Sequence, residues 1–452
     1  MNSFIKEVVK MNRRKFLFSG VGGALGSMAS LNAEGASKKT PPKNVHRHDV
    51  IIAGGGPAGC SAALAAAKLG ADVALIEQYP CFGGVWTMGT LAIIIDHQNK
   101  TGLMKFIETR LKKDKHAGPF RKDTNKFVYN VEAMKLLLDD LLGNSGAKLR
   151  LHTFIAGVEK KNNSIESLVS VSKSGFENWK GKVFIDCTGD GDVGALAGCQ
   201  FHKGREEDGS MQPGTMYGLV GGLKGPRVRN RELRDIFEKA GIQIPYEGMH
   251  IFRQDGMPGM GYLMPSHVYG LDATDAESLT DAEFEGRRQV RFVVDVLKKH
   301  GDQRLKDLFL AATAPCIGIR EARRIVGKYY LTKDDLIKGS QFDDGICDVE
   351  FNIDIHHPKK EEGMGLHLQP VTPYQIPFRC LQARDCTNLL TAGRCISGSF
   401  HAHASYRVTG DAVPLGEAAG VAAVMAVEKG ISPSELDGVH VRRRVEKLRK
   451  EW

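Results

Sequence analysis

Four side chains able to carry acid–base or anion chemistry crowd into one short stretch. The segment SGSFHAHASYRVTGD, Ser397 to Asp411, sets His401, His403, Tyr406 and Arg407 among small residues. Small residues let backbone come close to a bound group. An imidazole titrates near neutral pH and can serve as a general base. A guanidinium can grip a carboxylate or a developing oxyanion with two parallel bonds. His403 and Arg407 are therefore the catalytic candidates, with Tyr406 able to lend a hydroxyl. The plainer reading is that they lock the turn before a last helix. His401 has no role beyond the loop.

A second set lies near the start of the folded chain. Gly54, Gly56 and Gly59 spell G-x-G-x-x-G directly after an apolar run and at the opening of an Ala-rich one. In a strand–turn–helix unit the first glycine allows the tight turn. The second lets a pyrophosphate reach backbone N–H groups at the positive helix end, and the third lets helix lie close to sheet. Glu77 ends the next apolar run, where a carboxylate can accept both ribose hydroxyls of an adenosine. The dinucleotide is NAD or FAD. FAD is favoured because CFGGVWTMG follows Glu77 closely, and because two later apolar runs also end in glycine turns, at Gly189 and Gly393. An NAD enzyme needs only the first unit.

Other clusters carry less. GIREARRIVGKYYLT holds Arg320, Glu321, Arg323 and Arg324, either an anion site or, as favoured, an ion-paired helix face between domains. FNIDIHHP holds Asp354, His356 and His357, which lack a clear third metal partner and read as loop residues. Nine cysteines form no C-x-x-C pair, which argues against an iron–sulfur cluster, a structural zinc or a redox-active pair. Cys60 and Cys187 sit in apolar runs typical of buried thiols.

These groups need a scaffold. Val50 to Ala53 read as a buried strand, Pro57 to Leu69 as a helix ended by Gly70, and Val73 to Ile76 as a second, parallel strand. VEAMKLLLDDLL (131–142) has helical spacing, and AKLRLHTFIAGVEK with SIESLVSVSKSG reads as an antiparallel ribbon. Val183 to Cys187 and the run before Gly393 are further buried strands. EFEGRRQVRFVVDVLKKHG is a helix of the middle region, and AVPLGEAAGVAAVMAVEKG is a small-residue helix closing at Gly430. One sheet drawn from distant segments, with a second domain inserted, is the economical arrangement.

The chain has 452 residues, 42% of them hydrophobic, 52 glycines and a formal charge of +9. That is ample for a large core. Basic residues form no tract and no zinc-finger spacing, so nucleic-acid binding is not expected; a mild preference for anionic ligands is. No stretch of eighteen unbroken apolar residues predicts a membrane span. NRRKFLFSGVGGALGSMASLNAEGA pairs Arg13 and Arg14 with a weakly apolar, small-residue stretch, in the order of a twin-arginine export signal. Cleavage would follow Ala29, Ala33 or Ala36, delivering the protein to the periplasm.

The motifs around Gly54, Thr188, Arg320, Gly393 and His403 together resemble the FAD-dependent oxidoreductase family of the glutathione-reductase-like flavoprotein superfamily. That family includes the flavoprotein component of heterodisulfide reductase. The resemblance implies an α/β fold: a Rossmann-like FAD-binding domain built from discontinuous segments, with an inserted α+β substrate domain. Residues 1–36 would be the signal and 37–48 a linker. Residues 49–200 and 376–430 would form the FAD domain, 201–375 the insert and 431–452 a tail helix. It further implies that Gly54, Gly56, Pro57, Ala58 and Gly59 hold the pyrophosphate, and Glu77 and Gln78 the ribose. Gly83 and Gly84 would lie near the pyrophosphate and ribityl chain. Thr188, Gly189, Gly393 and Arg394 would flank the cofactor, and Leu415 and Gly416 would begin a helix whose positive end faces the flavin. This sequence departs from the family in lacking cluster cysteines, in having Arg394 where relatives carry an acid, and in having Phe400 where many carry a histidine. The implied activity is hydride transfer between a small polar substrate and the flavin, with a separate electron acceptor. The alternatives are a flavin-carrying electron-transfer partner without its own substrate, or an NAD(P)H-linked flavin reductase.

Overall fold

The computed structural model describes residues 44–120, 125–253 and 256–452. The twin-arginine stretch lies outside the described residues. Strand β1 (Asn44–Ala53) ends in Val50–Ala53, all fully buried. It begins inside the stretch expected to be linker, because its polar end alternates. His46 and His48 share one face and both stack against Trp179, at 4.1 and 6.3 Å. Helix α1 (Pro57–Lys68) follows, with proline in its first turn where a missing N–H costs nothing. Strand β2 (Val73–Ile76) then pairs parallel with β1.

Helix α2 (Val131–Gly143) is capped by the Asn130 side chain, which accepts from the N–H groups of Glu132 and Ala133. Strand β3 (Lys148–Arg150) joins β2 in parallel. Strands β4 (Phe154–Lys161) and β5 (Ser164–Ser172) form the antiparallel ribbon. Strand β6 (Gly175–Asp186) pairs with β5 through its first half and with β1, in parallel, along its length.

The middle region builds its own antiparallel sheet. Its strands are β7 (Gly218–Gly221), β8 (His250–Phe252), β9 (Gly261–Met264) and, after helix α3 (Ala276–His300), β10 (Phe309–Thr313). The spatial order is β8-β9-β7-β10. Val293 and Leu297 of α3 pack on Val220 and Leu263 in a separate apolar core. A hairpin of β11 (Ile353–His356) and β12 (Leu366–Gln369) lies beyond it.

The chain then returns to the first sheet. Strand β13 (Leu389–Thr391) pairs parallel with β6, giving the parallel order β3-β2-β1-β6-β13. Ala53 is in register with both Ile76 and Asp186, and Asp186 with Thr391. The C-terminal ends of four strands therefore share one edge, the place where open α/β sheets bind ligands.

Helix α4 (Phe400–Tyr406) and the long helix α5 (Thr409–Lys429) follow, and α6 (Gly438–Arg449) closes the chain. Among the described residues α5 alone is long and apolar enough to cross a membrane, but it is an interior helix, buried from Thr409 to Met425. It lies against α1 with almost no side chain between them. A Cβ at Gly416 would fall 2.1 Å from the Ala58 carbonyl oxygen, and one at Gly420 would fall 2.4 Å from that of Ala62. The described residues form one compact unit.

Two expectations change. The Arg320–Arg324 stretch is extended, not helical: Arg323–Ile325 pairs with Phe201–Lys203. Its Arg324 is fully buried, ion-paired to Glu321 at 2.7 Å and bonded to the carbonyls of Gly398 and Gly204. FNIDIHHP is strand as well as loop. The alternation Ile353, Asp354, Ile355, His356 puts Asp354 and His356 on one face.

Candidate functional site

A cleft opens at the shared strand edge. Its walls come from the Gly54–Ala58 turn, Glu77–Tyr79, Thr188–Asp190, Gly393–Arg394 and the start of α5. Gly54 has a φ of +93°, and a Cβ there would sit 2.4 Å from the Cys187 carbonyl oxygen. Only glycine makes that turn. Gly56 is different: its backbone is extended and a Cβ would meet nothing within 4 Å. Glycine at that position leaves space for a ligand against bare backbone at the α1 N-terminus.

Carboxylates shape the turns. Glu77 accepts from the N–H of Gly55 at 2.6 Å and of Tyr79 at 2.9 Å, while burial raises its pKa. Asp186, fully buried, accepts from the N–H and hydroxyl of Thr188 and from the N–H of Gly194. It holds the Thr188–Gly189 turn in shape. Asp192 is pushed up to about 6 by burial and by the nearby Asp190 and Asp186 carboxylates. Arg394 donates through Nη2 to Asp190 at 2.9 Å, and its Nη1 is buried without a partner. Arg407 Nε and Thr409 Oγ1 are likewise buried and unpartnered. A cradle that closes on bare glycine and leaves donors unmet suits a phosphorylated dinucleotide with a polar ring system.

A second cavity, of ≈ 380 Å³, adjoins the first. Val85, Gly318, Ile319, Arg394, Arg407 and Thr409 line both. Its inner polar groups form a chain. Arg407 Nη2 donates to the Asp354 carbonyl at 2.8 Å and lies 3.3 Å from its carboxylate. Asp354 Oδ2 lies 3.4 Å from His356 Nε2, and His356 Nδ1 lies 2.8 Å from His267 Nε2. Burial, aided by Arg320, pushes His356 down to about 3, and His267 also falls well below the usual histidine value. Asp354 is held ionised, its pKa lowered by His356, Arg407 and Arg320 against the opposing effect of burial. Burial lowers Arg407 to about 10, so it stays charged at neutral pH.

The expected site residues separate into groups. Gly54, Gly56, Pro57, Ala58, Glu77, Gln78, Gly84, Thr188, Gly189, Gly393 and Arg394 all line the cleft. Gly59 and Gly83 stand behind it. A Cβ at Gly59 would fall 1.8 Å from the Gly54 carbonyl oxygen, so this residue serves helix–sheet contact. Leu415 and Gly416 do not begin a helix. The helix begins at Thr409, with the N–H groups of Asp411 and Ala412 bonded to the Val408 carbonyl, and Pro414 lies inside it. Thr409 and Ala412 take the cleft-facing place, while Gly416 packs on α1.

Arg407 lines both cavities. His403 lines neither. It is fully buried, neither ring nitrogen has a hydrogen-bond partner, and burial with Arg324 and Arg407 nearby drives its pKa well below the usual value. A general base needs access to its proton, and this ring has none. Asp354, His356 and Arg320 join the site, although the sequence reads them as loop or interface residues. The signal that could have found the first two is the alternation I-D-I-H, a strand signature with two polar residues on one face. Among the described residues no cluster of histidine, cysteine and acid groups could hold a metal, and all nine cysteines are unpaired thiols.

A family model described as FAD dependent oxidoreductase matches residues 49–451. No curated protein matches the chain. Solved structures similar to this chain include a geranylgeranyl bacteriochlorophyll reductase-like protein from Thermoplasma acidophilum. It is 15% identical over 90% of this chain and 84% of that one, with a TM-score of 0.47. A p-nitrophenol 4-monooxygenase from Pseudomonas putida is 11% identical over 90% and 96%, with a TM-score of 0.43. An L-proline dehydrogenase from P. horikoshii is 12% identical over 88% and 99%, with a TM-score of 0.41. The family match spans nearly the whole folded unit and agrees with the cleft built from its strand ends; this chain belongs to the FAD dependent oxidoreductase family, and its cofactor is FAD.

Proposed function

We propose that this enzyme moves a hydride between FAD and a small organic substrate bound in the second cavity. The observation that carries the reading is the shared wall: six residues line both spaces, Arg394 and Arg407 among them. Gly54, Gly56, Pro57 and Ala58 would hold the pyrophosphate at the α1 N-terminus, and Glu77 with Gln78 the adenosine ribose. Gly84, Thr188, Gly189, Gly393 and Arg394 would line the remainder, with Thr409 and Ala412 presenting the positive end of α5. When bound, FAD supplies a two-electron acceptor and donor that no side chain here can replace.

The protein's own part is to orient the substrate and handle one proton. Arg407 is anchored by Asp354 and keeps Nε free, so it can fix a polar substrate group at the junction of the cavities. Asp354 Oδ1 is buried without a partner and can accept a hydrogen from a substrate hydroxyl or amine. His356, neutral at physiological pH, steadies Asp354 from the other side. Apolar walls keep water from competing for these bonds.

Anaerobic screening of small metabolites tests the reading. Purified protein should be yellow, and one compound class should bleach the flavin absorbance. A flavin reduced only by an added partner protein would favour the electron-transfer alternative. Export to the periplasm is proposed from residues 1–36 alone. Replacing Arg13 and Arg14 by lysine should leave the protein in the cytoplasm; unchanged export would refute it.

A further inference from the structure

The lining of the second cavity combines cations with apolar side chains. The three guanidinium groups of Arg320, Arg394 and Arg407 belong to it. Leu91, Ile93, Phe252, Met264, Leu366 and Leu368 contribute apolar surface from separate segments.

The three cations differ in their partners. Arg394 has Asp190 at 2.9 Å, and Arg407 has Asp354 at 3.3 Å. Lys126 and Glu350 also line the cavity and carry opposite charges. His250 and His356 complete its titratable lining, together with Tyr217 and Tyr246, and His356 is held neutral by burial. Arg320 forms no ion pair with any described residue. Its one hydrogen bond goes to the Pro213 carbonyl, at 2.5 Å. Beside it, Arg407 keeps a buried Nε without an acceptor. The Arg320 charge, without an ion pair among the described residues, and at least one unmet donor therefore belong to the lining.

A neutral ligand would leave that charge uncompensated in a partly desolvated place. A small polar anion without an apolar body would leave the aliphatic and aromatic walls wet. The ligand that meets both kinds of lining carries a negative charge and a hydrocarbon body. A carboxylate matches the guanidinium fork in shape as well as in charge.

We propose that the substrate is an amphipathic carboxylate, its carboxylate held by Arg320 and Arg407 and its hydrocarbon body against the apolar side chains of the lining. This rests on the reading that the second cavity is the substrate site. It narrows the sequence expectation of a small polar substrate: the polar part is one group, and most of the molecule is apolar.

The test uses the FAD-loaded full chain and four probes: octanoate, phenylacetate, octanamide and acetate. Binding is read from perturbation of the flavin absorbance and from heat. Octanoate and phenylacetate should bind at least about tenfold more tightly than octanamide, which lacks the charge, and than acetate, which lacks the body. Arg320→Gln should abolish the preference for octanoate over octanamide while FAD content stays as in the parent protein. Arg320→Lys, which keeps the charge, should retain part of it and guards against a folding defect in the first variant. Equal binding of octanoate and octanamide would overturn the proposal, as would an Arg320→Gln protein that keeps FAD and an unchanged preference. Protein without flavin would instead break the cofactor assignment, so the two failures are distinct.

Discussion

The two cavities meet at a common wall but are made of different material. The first cleft is organised on glycine turns at strand ends and the first turns of two helices. The second cavity is gathered from segments as far apart as Leu91, Phe252, Arg320, Asp354 and Leu366. A backbone site demands particular residues at fixed local spacing, because only glycine fits a turn such as that at Gly54. A side-chain site demands only that some suitable groups converge, which local spacing does not record. The first kind accepts a cofactor common to many enzymes; the second can change without disturbing the sheet.

The largest effects should come from the cleft. Gly54→Ala would place a Cβ against the Cys187 backbone in a strained conformation, so soluble folded protein should be lost. Gly56→Val meets no such obstacle within the protein. It should fold with a melting temperature close to that of the apo parent, yet bind FAD at least about 100-fold more weakly. Thermal unfolding and flavin content, measured together, separate the two. If Gly56→Val retains FAD, the backbone cradle is wrongly placed.

Next comes the wall between the cavities. Arg407→Met removes a cation that touches both and leaves Asp354 without its partner. Flavin content should persist while the rate of flavin reduction by substrate falls about 100-fold or more, and Arg407→Lys should recover part of it. A smaller loss than about threefold would put Arg407 outside the mechanism.

His403 provides the contrast within one short stretch. It stands four residues before Arg407, and the sequence offers both as catalytic candidates, Arg407 slightly ahead. The fold turns Arg407 into the cavities and seals His403 among Arg324, Arg394 and Arg407 with nothing to bond. Burying unmet polar atoms costs about 1–3 kcal/mol each. His403→Leu should therefore leave turnover within about twofold and keep or raise stability, as judged by denaturant unfolding. A loss of turnover with FAD retained would restore it to the mechanism.

The smallest effect is a pH dependence. His267, His356 and His403 are all held below their ordinary value, His356 at about 3. The unfolded chain therefore binds protons that the fold refuses. Stability from these groups is complete above about pH 6.5 and falls as pH drops toward their folded values, by up to about 1.4 kcal/mol per pH unit per histidine. The unfolding midpoint should decline between pH 7 and pH 5, and less steeply in His403→Leu. An identical slope in the variant would contradict the burial of a neutral ring.

Most of the scaffold was legible in the sequence. The parallel strands, α1, the ribbon and the three glycine turns follow from apolar runs closed by residues that only one geometry accepts. The start of α5 was not, since Pro414 interrupts a helix that packing against α1 sustains from Thr409 onward. The Arg320 stretch was not legible either. Its charges look like an exposed helix face, yet Arg324 is satisfied only with carbonyls that the fold brings from Gly204 and Gly398. Asp354 and His356 read as loop residues although their alternation is that of a strand, and nothing local said that the strand would border the second cavity.

The central claim is that substrate in the second cavity exchanges a hydride with FAD in the first. Leu91 lines only the second cavity, and Leu91→Trp should fill part of it. The decisive measurement is anaerobic rapid mixing of parent and Leu91→Trp proteins with small carboxylic acids, followed by flavin absorbance. The account predicts bleaching of the parent, slowing by at least about tenfold in Leu91→Trp, and equal FAD content and dithionite reduction in both. Equal substrate-driven rates, or a parent flavin that no small molecule reduces, would contradict it.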